Sequence, residues 1–366
     1  MNEVCLKENN RNYGIDLLRV IAMFFVVTLH CFGKGGILSS AVINSSQYKI
    51  AWFIEIFAYS AVDIFALISG YVSYTEKDKE VKYSKYLNLW FQVVFYGILI
   101  NIIFNIINPM LVPIKSYIKV LLPVSFNLYW YFTAYTGLFI VMPLLNKSIR
   151  NCSEKLLKKL FIVIIVAFSI YNLIFNVFAL QAGYSFLWIM ILYILGAIMK
   201  KCNIGSKLKN WHIVLGIIVL LLFTFIYKIY GISFFRINKD TFVSYVSPTI
   251  LGISILYIIG FSRIKFNSFM KKIISFAGPS AFTVYILNNH PLIWQHVMNG
   301  LFISIANTSI IKLIVYPLGF SILFTICSIL IDRLRIVLFK FLKIDKLSTY
   351  IVNISSKVLD KIIKLY

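Results

Sequence analysis

Long apolar runs recur from one end of the chain to the other, with short polar and basic segments between them. Most runs approach the 20 or so residues that a helix needs to cross a bilayer, and the weak ten-residue alternation of a membrane β-barrel is missing. The pattern therefore predicts an all-α, polytopic membrane protein with about ten spans. The predicted spans are residues 14–33, 50–73, 87–108, 128–146, 160–180, 184–199, 211–230, 242–261, 280–300 and 311–331.

The runs follow one another without a Gly/Ser-rich linker, a low-complexity segment or an internal repeat. We therefore expect residues 1–366 to form a single domain, with a basic tail at 332–366. The composition fits a membrane protein, since 60% of the residues are hydrophobic, 17% are aromatic and the mean hydropathy is +0.86. A soluble globule is closer to half apolar.

The net charge of +23 is distributed unevenly along the chain. Lys and Arg concentrate in the N-terminal segment, in the loops after the second, fourth, sixth and eighth spans, and in the tail. This alternation follows the positive-inside rule and predicts that both termini are cytoplasmic. A nucleic-acid-binding patch would not alternate in this way, so we expect no nucleic-acid partner. The tail, with apolar residues between its lysines, is expected to lie on the anionic inner leaflet.

The five cysteines lack metal-ligand spacing, so the sequence predicts no metal site. Only Cys31 is expected near the outer face, which excludes an intramolecular disulfide there. Cys31 adjoins His30, but neighbouring residues on a helix point about 100° apart, which disfavours a Cys/His nucleophile pair. Asp16 and Arg19 within the first run argue against a cleaved signal peptide.

The first span carries three ionisable side chains, those of Asp16, Arg19 and His30. Such groups are costly inside a bilayer, so they usually face the protein interior and mark function. Arg19 and His30 are about three helical turns apart and share one face, with a rise of about 16 Å between them. Asp16 lies on the same face before Arg19, where it could neutralise or orient the guanidinium.

The second span runs back from the outer side and carries Glu55 and Asp63. Glu55 is expected at the depth of His30, where its carboxylate could hold one imidazole nitrogen; a snorkelling interfacial residue is the alternative. Asp63 is expected mid-membrane with Arg19 as its partner, either in a structural ion pair or on a substrate path.

Three further clusters each have two interpretations. Ser69 and Gly70 either take part in the site or allow close helix contact. The aromatic cluster Tyr129–Tyr131 is first interpreted as a belt at the outer interface, and alternatively as a stacking surface for a sugar ring. The polar cluster Asn288–His290, before a kink at Pro291, either lines a cavity or hydrogen-bonds neighbouring helices.

Five elements occur in order along nearly the whole chain. The first is the pair Arg19 and His30, with ten residues between them. The others are IFALISGYV at 64–72, the YW opening and PLLN close of 127–146, YSFLWIMILYILGAIMKK at 184–201 and SAFTVYIL at 280–287. Together they resemble the integral-membrane acyltransferase-3 proteins, bacterial enzymes that acylate sugars of surface polysaccharides and related glycans.

The resemblance implies transfer of an acyl group, most often acetyl, from cytoplasmic acyl-CoA to a hydroxyl of a cell-surface or lipid-linked glycan. It implies a multi-pass protein of the bacterial cytoplasmic membrane, with acyl-CoA as a donor substrate and no bound cofactor. His30 would be the general base, Glu55 its partner, and Arg19 would attract the anionic donor. The residues then expected to bind the acceptor are Asp63, Ser69, Tyr71, Trp130, Tyr135, Asn288 and His290.

Two positions depart from the family's pattern. Many relatives carry Arg residues at the entry to the third span, where this chain has Lys82 and Lys85, so these lysines would have to bind the donor phosphates. In the ninth span Asn288 stands where the family commonly has His, and His290 stands where Asn is usual. The polar pair is exchanged and not lost. The sequence identifies no donor for the oxyanion that acyl transfer creates.

Two non-enzymatic functions remain open on the residues alone. A glycan exporter or flippase would line its passage with the same polar stripe, although no inverted repeat is evident. A proton-coupled transporter would use Asp63. An exporter would move lipid-linked glycan without acyl-CoA, and a transporter would respond to a pH gradient.

Overall fold

The structure is a computed structural model that describes residues 11–77, 81–231 and 238–364, and all regular elements within these ranges are helical. The α-helices are α1 Tyr13–Phe32, α2 Ile37–Ser40, α3 Ser46–Ala58, α4 Ala61–Ser73, α5 Tyr83–Ile107, α6 Ile114–Leu121, α7 Trp130–Asn151, α8 Glu154–Ile165, α9 Asn172–Phe175, α10 Phe186–Lys201, α11 Asn210–Tyr230, α12 Pro248–Ser262, α13 Ser268–Ala277, α14 Ala281–Asn289, α15 Pro291–Ile293, α16 Ile310–Phe341 and α17 Ile344–Ile363. The π-helical turns Val166–Tyr171 and Trp294–Met298 follow α8 and α15. Cys5 lies outside the described ranges, and the other four cysteines are free thiols.

Several helices are long and apolar enough to cross a membrane. Within the described ranges they number six, when helices that follow one another directly are counted as one. They are Tyr13–Ser40, Ser46–Ser73, Tyr83–Ile107, Glu154–Phe175, Asn210–Tyr230 and Ile310–Phe341. Each predicted span coincides with one helix or with a broken helix, which confirms the all-α, polytopic architecture. The count of about ten spans and the side of the termini stay predictions.

The second span is broken, whereas the sequence predicted a continuous helix over 50–73. Helix α3 ends at Ala58 and α4 begins at Ala61. The Ser60 carbonyl at the break accepts from the Ile64 amide of α4 at 2.9 Å, and the Tyr59 amide donates to the Ile56 carbonyl of α3 at 3.2 Å. Broken helices are tolerated at membrane depth where such backbone groups stay hydrogen-bonded. The break places Asp63 in the first turn of α4 instead of mid-helix.

Helices α4 and α10 approach each other closely because each presents a glycine. A Cβ atom on Gly70 would lie 1.9 Å from the carbonyl oxygen of Tyr193, and one on Gly196 would lie 2.1 Å from that of Leu67. No side chain fits at such separations, so the two backbones are in direct contact. Gly70 therefore serves close helix packing, which was one of its two interpretations.

Contacts at the two ends of α1 establish how the helices alternate. At its start, the Asn12 side chain donates to the Ser262 carbonyl at the end of α12, at 2.8 Å. Beyond its end, the Phe302 amide donates to the Gly35 carbonyl, also at 2.8 Å. Helix α1 thus runs antiparallel to α12 and α16, as the predicted topology requires of the first, eighth and tenth spans.

The predicted basic tail begins as the last turns of α16 and continues as the amphipathic helix α17. Asn88 of α5 holds its start, donating to Asp345 and accepting from Ser348, each at 2.5 Å. Exposed apolar side chains recur along one face, at Leu347, Ile351, Ile354, Val358 and Ile362. Such a face suits a helix that lies on a bilayer surface, and the predicted position of the tail on the inner leaflet stays a prediction.

Candidate active site

A cavity lies between α1, α4, α7 and α14. Its α1 wall consists of Met23, Val26, Leu29 and His30. Met23, Val26 and His30 lie on the same face of α1 as Arg19, which is one turn before Met23. The face predicted from the sequence thus lines this cavity up to the imidazole. The remaining lining residues are Val62, Phe65, Trp130, Tyr131, Tyr184, Tyr245, Phe282, Tyr285 and Asn289.

His30 is held by α14, the core of the predicted ninth span. Its Nδ1 contacts the side-chain oxygen of Asn288. Because an amide oxygen only accepts, Nδ1 carries the hydrogen and Nε2 keeps its lone pair. Nε2 has no hydrogen-bond partner in the described part of the chain, and Trp294 packs edge-on against the ring with centroids 4.6 Å apart. The imidazole is therefore a base of defined tautomer and orientation.

The expectation that Glu55 holds the imidazole is wrong, since Asn288 does so. Glu55 interacts electrostatically with Cys31, whose side chain points about 100° away from that of His30 on α1. Glu55 also interacts electrostatically with the cavity residues Tyr184 and Tyr245. Glu55 is only 7% exposed, which also excludes the snorkelling interpretation, and its Oε2 has no partner among the described residues.

Arg19 forms the predicted ion pair with Asp16, with Nη1 and Oδ1 3.3 Å apart. The other oxygen of Asp16 binds Nε of Arg11 at 2.6 Å. One carboxylate thus serves two guanidinium groups, so positive charge is in excess at this end of the face. Tyr135 of α7 interacts electrostatically with Arg19, which places a predicted acceptor residue beside the cation and not in the cavity wall.

Asp63 is not the partner of Arg19, contrary to the sequence expectation. Its Oδ1 accepts a hydrogen bond from the Trp188 indole at 3.0 Å, and its Oδ2 has no partner within the described ranges. The break before α4 explains the difference, because it moves Asp63 to a helix start where the N-terminal partial positive charge stabilises a carboxylate. The fully buried side chain does not line the cavity, although Val62 does.

One wall of the cavity is aromatic. The rings of Trp130 and Tyr184 are 4.8 Å apart between centroids, and those of Tyr184 and Tyr245 are 5.1 Å apart. The neighbouring Tyr129 and Tyr131 are only 2% and 5% exposed, so the interfacial-belt interpretation is wrong for both. The structure places Trp130 in the cavity wall, as the stacking interpretation expected.

Four aromatic rings of the wall form a closed circuit. Successive centroids lie 5.6 Å (Phe65 to Tyr131), 5.9 Å (Tyr131 to Tyr285), 5.6 Å (Tyr285 to Phe282) and 6.4 Å (Phe282 to Phe65) apart. These separations are those of packed aromatic pairs, so each ring restrains its neighbours. The hydroxyl of Tyr285 also accepts a hydrogen bond from the Tyr131 amide at 3.2 Å.

Two residues that were predicted to bind the acceptor substrate, His290 and Ser69, form local hydrogen bonds instead. Nδ1 of His290 accepts from the Leu292 amide at 3.3 Å and caps the short helix α15. The Ser69 hydroxyl donates to the Phe65 carbonyl one turn earlier, at 3.1 Å. Neither side chain lines the cavity.

Tyr71, Lys82 and Lys85 lie at the end of the bundle that the charge distribution predicts to be cytoplasmic. The Lys200 ammonium lies 5.0 Å from the centre of the Tyr71 ring. Lys82 and Lys85 are exposed at the start of α5. Their position beside the cytoplasm is compatible with donor binding, which stays a prediction.

Sequence reasoning did not assign Tyr184, Tyr245, Phe282 or Trp294 to the site. Phe282 had a detectable signal, because it precedes Asn289 of the predicted polar cluster by seven residues, or two turns, and shares its helix face. The loop residue Tyr245 had none. Among the described residues no group of three or more His, Cys, Asp or Glu side chains is placed to hold a metal ion.

The part of the chain that forms this site matches a known protein family. A family model described as an acyltransferase domain, that of the acyltransferase-3 proteins, matches residues 12–333, which include all the cavity-lining residues and exclude α17. No curated protein and no solved structure matches the chain. Since the match spans most of an all-α chain with several membrane-length apolar helices, the protein belongs to the acyltransferase-3 family of membrane acyltransferases.

Proposed function

We propose that this acyltransferase moves an acyl group, in the first instance acetyl, from cytoplasmic acyl-CoA to a hydroxyl of a cell-surface or lipid-linked glycan in the bacterial cytoplasmic membrane. The observation that carries the proposal is the geometry of His30. Asn288 fixes its Nδ1–H, and the ring with its unbonded Nε2 lines an aromatic cavity. A neutral imidazole in this state is a general base for a hydroxyl.

The proposed reaction uses His30 twice. Nε2 accepts the proton of the acceptor hydroxyl while the hydroxyl oxygen forms a bond to the thioester carbonyl carbon. The carbon–sulfur bond then breaks, and the imidazolium returns the proton to the leaving thiolate of CoA. Asn288 accepts from Nδ1–H throughout, so the ring keeps its orientation in both steps.

The cavity wall supports a sugar as the acceptor. Trp130, Tyr184 and Tyr245 are neighbouring rings, tilted by 58° and 59°, that offer aromatic faces and edges to the apolar face of a sugar ring. Asn289 also lines the cavity, and its amide nitrogen donates to the Tyr285 carbonyl at 3.1 Å. Its amide oxygen is left to accept from a sugar hydroxyl.

The charges at the other end of the α1 face support an anionic donor. Arg11 and Arg19 share one carboxylate and leave a net positive charge. Fixed positive charge raises the local concentration of an anion such as the phosphates of CoA. Exposed Lys82 and Lys85 add to this field on the side where cytoplasmic acyl-CoA arrives.

Labelled acetyl-CoA supplied to the cytoplasmic face of inside-out membrane vesicles tests the proposal. We expect alkali-labile label in glycan only in vesicles that contain this chain, with vesicles from cells lacking it as the control. Transport of lipid-linked glycan without any incorporation of label would support an exporter and contradict the proposal.

A further inference from the structure

Acyl transfer to a hydroxyl creates a negative charge that the proposed base does not neutralise. When the acceptor oxygen bonds to the thioester carbon, the carbonyl oxygen becomes an oxyanion, and enzymes stabilise it with a preorganised hydrogen-bond donor. His30 is occupied with the acceptor proton, and Asn288 presents its oxygen to His30. A separate donor is therefore needed in the cavity.

Tyr285 has a hydroxyl whose hydrogen is available. The residue lines the cavity and is only 6% exposed. Its oxygen accepts the Tyr131 amide hydrogen at 3.2 Å, and the described residues offer no acceptor for the hydroxyl's own hydrogen. A phenol that accepts one hydrogen bond and has its own hydrogen free is a strengthened donor, because successive hydrogen bonds polarise one another.

The position of Tyr285 relative to the base is fixed by helix α14. Tyr285 and Asn288 are three residues apart, so their side chains are neighbours on one helix surface, with a rise of about 4.5 Å between them. Asn288 contacts His30. One helix therefore positions both the base and the phenol, with Tyr285 on the side of Asn288 that faces the start of α14. On the predicted topology the cytoplasmic donor arrives from that side.

The first turn of α7 adds to this arrangement. Tyr131 is the second residue of α7, where backbone amides lack partners within the helix. The Tyr285 hydroxyl satisfies the Tyr131 amide, so it sits at the positive end of the helix dipole. This field favours negative charge beside the hydroxyl, which is what the transition state develops.

We propose that Tyr285 is the oxyanion-stabilising catalytic residue of this acyltransferase. Its O–H donates to the carbonyl oxygen while the acceptor oxygen attacks and His30 takes the acceptor proton. When the carbon–sulfur bond breaks, the carbonyl re-forms, the hydrogen bond weakens and Tyr285 keeps its proton. The inference rests on the proposed transfer to a hydroxyl activated by His30.

Tyr129 provides a matched control for the loss of a buried phenol. Its ring lies 6.2 Å from that of Tyr285, and its buried hydroxyl has no partner among the described residues. Unlike Tyr285, it does not line the cavity. Tyr129→Phe and Tyr285→Phe therefore make the same chemical change a few ångströms apart, on the two sides of the cavity wall.

Steady-state kinetics of the full-length chain in membranes test the proposal. We expect Tyr285→Phe to lower kcat roughly 100-fold or more, as the loss of one oxyanion donor does in other enzymes, with the KM for acetyl-CoA and the thermal unfolding midpoint close to wild type. Tyr129→Phe is expected to keep wild-type kcat. A Tyr285→Phe variant with wild-type kcat, or with a loss matched by Tyr129→Phe, would overturn the proposal and leave the proposed function standing. Absence of transfer by the wild type would overturn both.

Discussion

His30 and Asn288 are 258 positions apart in the chain, and the structure brings the imidazole Nδ1 against the side-chain oxygen of Asn288. The partner of the base is thus an uncharged amide. An amide fixes the tautomer of the ring without adding a second charge to an apolar cavity, which would be costly to bury. Asn288 therefore hydrogen-bonds a neighbouring helix, which was one of the two interpretations of its cluster, and it does so at the candidate base.

Removing this amide should weaken the base without unfolding the protein. In Asn288→Leu the Nδ1–H loses its acceptor, which is worth about 1–3 kcal/mol at a buried site. We expect the rate of acyl transfer to fall roughly 10- to 100-fold, measured as initial rates in membranes with equal amounts of the chain. Asn288→Asp keeps an oxygen acceptor and should retain more activity than the Leu variant. A wild-type rate in Asn288→Leu would show that the contact is dispensable.

Arg19 should affect the binding of acyl-CoA and not the binding of the glycan. Arg19→Gln removes one of two cations that share Asp16, so the field that attracts acyl-CoA weakens. We expect the KM for acyl-CoA to rise about tenfold, since a hydrogen bond to a charged group is worth about 1.5–3 kcal/mol. The KM for the glycan should stay unchanged. Exposed Lys265 provides the control, and an equal effect of Lys265→Gln would indicate a general surface charge effect instead.

The stability of the protein should depend on the hydrogen bond between the Trp188 indole and the Asp63 carboxyl group. Trp188→Phe keeps a large ring but removes the hydrogen bond to Oδ1, and Oδ2 already lacks a partner among the described residues. We expect a loss of about 1–3 kcal/mol of stability, seen as a lower unfolding midpoint in detergent. Asp63→Leu combined with Trp188→Phe should recover part of this loss because no polar group then stays unpaired. A double variant less stable than Trp188→Phe alone would contradict this account.

Gly70 should tolerate no side chain. Gly70→Ala places a Cβ 1.9 Å from the Tyr193 carbonyl oxygen and forces α4 away from α10. Overpacking of this kind costs about 1–3 kcal/mol, so the unfolding midpoint should fall. Gly319→Ala is the matched control, because nothing lies within 4 Å of its added Cβ. If both variants unfold at the same temperature, the close contact between the helices is not required.

The parts of the site that lie on one helix could be predicted from the sequence. Helical periodicity alone places Arg19 and His30 on one face and Asp16 beside Arg19, and the structure shows both relationships. The all-α architecture follows in the same way, because the length and apolar character of a span are local properties.

Partners on different helices could not be predicted, because they depend on how each helix is rotated and where it breaks. The sequence paired Asp63 with Arg19, and the structure pairs it with Trp188. The break responsible had a local signal, since Ser60 and Asp63 match the S-x-x-D pattern of a helix start. No comparable signal indicates which residue holds His30, since Glu55 was predicted at its depth and Asn288 only as a cavity-lining or helix-packing residue.

Transfer of labelled acetyl from acetyl-CoA to glycan by His30→Ala, compared with His296→Ala, tests the central claim most directly. His296 is an exposed histidine of the same end of the bundle that does not line the cavity. With both variants folded and present in equal amounts, we expect His296→Ala to incorporate label as the wild type does and His30→Ala to incorporate none above vesicles lacking the chain. Equal incorporation by the two variants would contradict the claim that His30 is the catalytic base.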